Sequence, residues 1–199
     1  MLRERNTELA GATSRLESAS ADEAALLRRI AGGDRAAFET LYRGYFPRLT
    51  RFLERVMRRP QAVEEVLNDA MLVVWRKAAS FSGESKVSTW IFAIAYRKAL
   101  KALKKFDEPV EADDDAAESP QPGPEGHLMQ RQLTALLWES IGSMSAEHRA
   151  VIELTYYHGY AYREIAQIMG CPVDTVKTRM FHARRRLRLM LSGWKEELQ

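Results

Sequence analysis

Apolar residues recur at spacings of three and four along most of this chain, the period of helices that bury one face. The first twenty residues are the exception, being polar with no sustained apolar side, and residues 1–21 are expected to form a disordered extension. Ala25, Leu26, Arg29 and Ile30 predict a first short helix closed by Gly32-Gly33, after which Asp34 can cap the next. That helix carries Phe38, Leu41, Tyr42, Tyr45, Leu49, Phe52, Leu53 and Val56 on one broad side, with Pro47 expected to kink it at most. A third helix is predicted from Gln61 to Ala79, with Val63, Val66, Leu67, Ala70, Val74 and Trp75 turned inward. A Ser/Gly loop separates it from a fourth, predicted from Val87 to Phe106.

The pattern then stops. From Asp107 to Gly126 there are four prolines, two glycines and no periodic apolar positions, so this stretch reads as a flexible linker. Periodicity resumes with Leu133, Leu136, Leu137 and Ile141, and Ser145 can cap a further helix. The chain ends in a helix-turn-helix. A short segment reaches Gly170, which suits the left-handed conformation that stops a helix, and Pro172 is expected in the first turn of the next one. In that last helix Val173, Val176, Met180, Ala183 and Leu187 form one buried stripe. The predicted fold is all-α, two small helical bundles spanning residues 22–106 and 127–199 on either side of the linker.

Charge sharpens this division. The formal net charge is +3, yet residues 1–106 carry 20 Lys/Arg against 12 Asp/Glu, residues 127–199 carry 10 against 7, and residues 107–126 carry 8 anions and no cation. Two basic bodies flank an acidic tether. Between Thr175 and Lys195 there are seven cations and no anion, so a helix seated by its apolar stripe presents a cationic outer face, the form that lies in a DNA major groove. The fourth helix turns basic through Arg97, Lys98, Lys101, Lys104 and Lys105, beside the aromatics Trp90, Phe92 and Tyr96. Rings beside cations suit unpaired DNA, since bases stack on rings while cations hold the backbone; most of these rings are nonetheless expected in the core. Glu64, Glu65, Asn68 and Asp69 group on one side of the third helix.

Other chemistry finds no support. One cysteine, Cys171, forms no internal disulfide, and the four histidines stand at no ligand spacing, so neither metal nor cofactor is expected. No paired carboxylates, activated nucleophile or phosphate-binding glycine loop suggests an enzyme. No apolar run is long enough for a membrane span and the N-terminus has no secretion signal, so a cytoplasmic location is expected.

The ordered series of segments resembles the sigma-70 family of bacterial RNA polymerase sigma factors, and within it the short extracytoplasmic-function (ECF) group. AAFETLYRGYFPRL is similar to the start of that family's region 2, AVEEVLNDAMLVVWRKA to its polymerase-binding helix, FSGESKVSTWIFAIAYRKAL to its −10 segment, and YREIAQIMGCPVDTVKTRMFHARRRL to the helix-turn-helix of region 4. The resemblance implies a protein that binds core RNA polymerase, through the β′ clamp coiled coil and the β flap, and directs it to promoter DNA. It assigns Glu64, Glu65, Asn68 and Asp69 to the β′ contact, with Asn68 and Asp69 standing where the family often has Gln and Glu. It assigns the loop residues Ser82, Gly83, Glu84, Ser85 and Lys86 to a base flipped from the −10 element, and Arg97, Lys98 and Lys101 to the melted strand. Lys177, Thr178, Phe181 and His182 would meet base edges of the −35 element, with Arg179, Arg184 and Arg185 nearer phosphates. Of these, Phe181 is the weakest assignment, because an aromatic beside the buried Met180 also fits the core. The family's tether threads the polymerase near the RNA exit path, where the linker's anions would stand in for transcript, and an anti-sigma factor is a further expected partner. The competing reading is a stand-alone helix-turn-helix regulator, which would bind an operator without polymerase, usually as a dimer on a symmetric site.

Overall fold

The computed structural model describes residues 21–107 and 137–197, with side chains for 21–106 and 137–189. The expected N-terminal extension lies outside these residues except for residue 21, as does the linker beyond Asp107. Every described element is helical: α1 (residues 21–31), α2 (Arg35–Met57), α3 (Pro60–Lys77), a 3-10 turn (Ala78–Ser80), α4 (Val87–Asp107), α5 (residues 137–142), α6 (Ala146–Tyr156), α7 (Tyr162–Met169) and α8 (Val173–Glu197).

The helix ends follow from local chemistry. Asp34 Oδ1 accepts from the Ala37 N–H at 3.0 Å and starts α2. Its carboxyl is held below the usual range by that backbone bond first and by Arg29 second. Pro47 sits inside α2 without ending it. Arg58 closes α2 in the left-handed region at φ 55°, where its N–H bonds back to the Glu54 carbonyl. Pro60 opens α3 at a position whose N–H would have no partner anyway. Ser145 caps α6 as expected, its hydroxyl accepting from the His148 N–H.

α2, α3 and α4 pack around Leu49, Phe52, Leu53, Leu67, Val74, Ile91 and Ala95, all fully buried. Each of these side chains larger than alanine contributes about 1.5–3 kcal/mol by leaving water. The second set of helices does not stand apart. Ala150, Val151, Leu154, Tyr160, Ile165 and Ile168 belong to the same continuous core, with α6 lying on α2 and α7 on α4. The expectation of two bundles side by side on a tether therefore understates the contact: the apolar sides of α6 and α7 are shared between α8 and the first three-helix layer. Periodicity marks a face as apolar but not which neighbour covers it.

A set of polar contacts lines this seam. Arg149, on α6, donates to the Val56 carbonyl from Nε at 3.0 Å and Nη2 at 2.6 Å. That carbonyl lies in the last turn of α2, where the helix supplies no donor. The same guanidinium reaches the carbonyls of Gly142 and Met144, so one side chain ties α2 to the α5–α6 corner. Arg51 lies 3.5 Å from the buried Glu153 carboxylate and stacks over Tyr157, while Arg55 stacks over Trp138. His158 fits between the rings of Phe52 and Phe92, at centroid distances of 6.0 and 4.7 Å.

Candidate nucleic-acid and polymerase interfaces

The helix-turn-helix forms as its residues predict. Gly170 stops α7 at φ 63°, with its N–H bonded to the Ala166 carbonyl, and Pro172 stands immediately before α8 rather than within its first turn. Glu164 accepts from the Ala161 N–H at 2.9 Å, which satisfies one free donor at the start of α7. Val176, Met180 and Ala183 are buried, and Val173 and Leu187 partly so, as the stripe requires.

On the other side of α8 the candidate readers divide into three kinds. Lys177, Thr178, Phe181, His182, Arg184 and Arg185 are exposed. Phe181 is 62% exposed, which decides its ambiguity in favour of the surface, and it meets His182 edge-on at 5.5 Å. Lys177 pairs with Asp174 at 2.9 Å, but both are open to water, so a DNA acceptor can displace the carboxylate at little cost. Arg179 differs from the rest. It is half-buried, its guanidinium 3.7 Å from Cys171 Sγ, packed toward the turn rather than displayed beside its neighbours. Arg184 is held, its Nε donating to the Tyr156 hydroxyl at 3.0 Å. Tyr156, 58% exposed at the end of α6, had no periodic or charge signal to single it out.

A second cationic surface lies on α3 and α4. Trp90 and Ile94 line an open groove of about 400 Å³ rimmed by Lys77, Arg97, Lys98 and Lys101. Three of the expected cations are thus brought together, and Lys77 joins them unforeseen. Trp90 is only partly buried and leans on Phe81 at 5.5 Å, whereas Phe92 and Tyr96 are fully inside. Burial pushes the Tyr96 phenol well above its ordinary range. The loop residues Ser82, Gly83, Glu84 and Lys86 are exposed and Ser85 half so. Gly83 turns the chain at φ 78°, a conformation that side chains disfavour. Lys86 is not free: its Nζ lies 2.8 Å from Glu164 Oε1, across the seam on α7.

The third surface is acidic. Glu64, Glu65, Asn68 and Asp69 are all exposed on one side of α3. Asn68 Oδ1 accepts from the Tyr42 hydroxyl at 2.8 Å. Beside it runs an aromatic strip in which Phe38 meets Trp75 at 5.2 Å and Tyr42 meets Phe46 at 5.7 Å. Phe46 and Leu72 are each about two-fifths exposed, so the acidic face borders apolar surface rather than water alone. Among the described residues no group of three His, Cys, Asp or Glu side chains stands ready to hold a metal ion, and no helix is long and apolar enough to cross a membrane.

Comparison with known proteins gives a consistent result. The family model for Sigma-70 region 2 matches residues 41–107, and that for Sigma-70, region 4 matches residues 134–187. The ECF RNA polymerase sigma-E factor of Haemophilus influenzae is 30% identical over 173 residues, covering 80% of this chain and 90% of that one. The ECF RNA polymerase sigma factor RpoE of Cereibacter sphaeroides is 32% identical over 173 residues, covering 86% and 96%. The sigma factor RpoE of Bartonella quintana, solved with the anti-sigma factor NepR, superposes with a TM-score of 0.62 at 24% identity, covering 78% of this chain and 96% of that chain.

Proposed function

This chain belongs to the sigma-70 family, within its ECF group of RNA polymerase sigma factors, and directs transcription initiation; from that premise we propose how its three surfaces divide the work. The acidic face of α3, with Glu64, Glu65, Asn68 and Asp69, docks on the coiled coil of the β′ clamp. A carboxylate-rich face flanked by Phe46 and Leu72 suits a basic helical partner, because charge selects the orientation and apolar contact supplies the affinity. The second bundle meets the β flap.

The groove of Trp90, Arg97, Lys98 and Lys101 takes the single strand of the melted −10 element, and the loop from Ser82 to Lys86 takes a base turned out of it. Unstacking a base costs a few kcal/mol, which stacking on an exposed ring and neutralised phosphates can offset. The outer face of α8 reads the −35 element. Lys177 can reach guanine acceptors, Phe181 a thymine methyl, and Thr178 either base type, while Arg184 and Arg185 contact phosphates. Arg179, tucked against Cys171, supports the corner and positions α8 instead of touching DNA.

The observation that carries this division is the presence on one chain of an acid face, a cation-rimmed aromatic groove and a cationic recognition helix, in the family's order. Neither DNA-binding surface has enough phosphate contacts to hold DNA tightly, since each contributes mainly counterion release. Polymerase supplies the remaining affinity, so the protein acts in the cytoplasm with the enzyme it serves. The acidic linker lies along the transcript's exit path, and an anti-sigma factor controls access to the bundles; the Bartonella quintana protein of the same fold was solved in complex with an anti-sigma factor.

Transcription in vitro with core polymerase and a promoter library tests the reading. Run-off products from a subset of templates sharing −10 and −35 sequences are expected. Absence of product from every template, together with tight operator binding by the free chain, would replace it with the stand-alone regulator.

A further inference from the structure

Asp174 is the odd residue on the recognition helix. It is the one anion between Val173 and Lys195, a stretch that carries seven cations, and its side chain is 89% exposed in the first turn of α8. That end of a recognition helix is the part that meets base edges. The neighbours of Asp174 place it on the reading side: its Oδ1 lies 2.9 Å from Lys177 Nζ, and Thr178 Oγ1 donates to its backbone carbonyl at 2.9 Å. A carboxylate there is repelled by every phosphate it approaches, and unlike its cationic neighbours it gains nothing from the DNA backbone. It needs a donor.

The major groove offers few. Guanine shows N7 and O6 and thymine O4, all acceptors, so the amines on adenine N6 and cytosine N4 are the groups there that a carboxylate can bind. In each Watson–Crick pair that amine is hydrogen-bonded to a keto oxygen on the other strand, N4 to O6 or N6 to O4, at about the 2.9 Å usual for N–H···O. The Lys177–Asp174 pair, with 2.9 Å between Nζ and Oδ1, is the complement of that edge: its donor can face the keto oxygen while its acceptor faces the amine. Displacing the carboxylate costs little, yet a base pair presented this way does not demand it. Guanine adds N7 beside O6 where thymine carries a methyl group, so a lysine on the keto side favours guanine. Thr178 continues the acceptor side, because its one hydroxyl proton is engaged by the Asp174 carbonyl and it has only lone pairs to offer a base.

We propose that Asp174 is a specificity-determining residue: together with Lys177 it reads one pair of the −35 element from both strands, keto base toward the lysine and amino base toward the aspartate, with G·C in that orientation preferred. The assignment rests on the −35 reading of α8 above and narrows it, since Lys177 alone would accept any guanine within its reach. Reversing the pair sets the carboxylate against O6 or O4 and takes water from it with no donor in return. Wrong sequences are thereby refused as well as the right one bound. Thr178 selects a further amine on a neighbouring pair.

Competition among promoters carrying each base pair at each −35 position, with holoenzyme assembled from core polymerase and the full-length chain, tests the assignment. At one position the natural chain should favour the G·C pair over its reverse by about tenfold or more. Asp174→Ala should flatten that preference and leave the other positions and the circular dichroism unchanged. Asp174→Asn, whose amide both donates and accepts, should tolerate the two orientations alike. N4-methylcytosine at the preferred pair replaces the amine hydrogen that points into the groove; it should weaken binding of the natural chain and leave Asp174→Ala indifferent. If Asp174→Ala shifts binding to all templates equally, or the methylated base affects both chains alike, the carboxylate acts only through its charge or the helix end, and the proposal is overturned with the sigma-factor reading intact. If the natural holoenzyme shows no preference at any −35 position, the reading of α8 itself fails and takes this assignment with it.

Discussion

Lys98 Nζ lies 2.8 Å from Asp69 Oδ2, so the rim of the cationic groove on α4 is joined by an ion pair to the acidic face of α3. The side chains are 32% and 54% exposed, and such a pair contributes at most about 1 kcal/mol to folding. Lys98→Ala is expected to leave the melting temperature nearly unchanged while reducing promoter opening, read as permanganate reactivity of unpaired thymines. Lys98→Arg should restore most of it, since phosphate contact needs a cation more than a particular shape. A loss of stability equal to the loss of opening would make the residue structural.

Reversing charge on α3 separates docking from DNA contact. Glu64→Lys with Glu65→Lys should weaken association with core polymerase by about tenfold or more, measured by competition against the unaltered chain. Both side chains are exposed, so the double variant should fold normally by circular dichroism. Unaltered competition would remove the α3 face from the polymerase interface.

The recognition helix offers a graded set. Phe181→Ala should relax sequence preference at one −35 position by about 1–3 kcal/mol without destabilising the fold, because the ring is mostly in water. Arg184→Ala should weaken binding to all templates alike and lower the salt slope by about one. Tyr156→Phe, which frees Arg184 without removing its charge, should produce a smaller loss of the same uniform kind. Binding measured across a salt series on matched and mismatched templates distinguishes the three.

Two titrating groups in the seam pull in opposite directions. Burial, with Arg48 and Arg51 nearby, lowers the His158 imidazole to about 4. A group neutral in the folded state contributes stability that is present above its unfolded value, near 6.5, and is lost as pH falls toward 4. Burial raises the Glu153 carboxyl to about 7 against the opposing pull of Arg51 and Arg55. Its contribution is full below about 4.5 and is lost as pH rises through 7. The slopes nearly cancel between the two unfolded values, and above 6.5 the glutamate prevails. Denaturant unfolding across pH should show stability falling from pH 6.5 to 7.5 in the natural chain. Glu153→Gln should abolish that fall and reveal the histidine's rise from pH 4 to 6.5.

Arg149→Met removes every donor that reaches the Val56 carbonyl while keeping the length of the side chain. A buried acceptor left without its partner costs about 1–3 kcal/mol, and the variant should show that loss in thermal unfolding together with faster amide exchange in the last turn of α2. Unchanged exchange there would mean that water replaces the guanidinium without cost.

The helices were legible because each signals itself locally. Asp34, Ser145 and Gly170 mark ends through a single side chain or its absence, and the stripe of Val176, Met180 and Ala183 marks a buried face by spacing alone. The cations of the groove and the carboxylates of α3 could be read for the same reason, since they belong to one helix each. What stayed hidden depends on pairs distant in sequence. Lys77 reaches the groove only because the end of α3 passes beside α4, and Tyr156 meets Arg184 across 28 positions. Arg179 resembles its exposed neighbours in type and spacing, and only the fold of the turn places it against Cys171. The seam itself was missed because a bundle of helices can bury its apolar sides internally or against another bundle, and periodicity is identical in both cases.

One core runs through both halves, with Phe52 and Phe92 beneath His158 and Tyr160. A molecule parted at that boundary and not yet received by the transcription machinery carries bare rings on each side. Any agent that separates the halves must therefore offer apolar surface to both sides, or leave a patch that invites self-association.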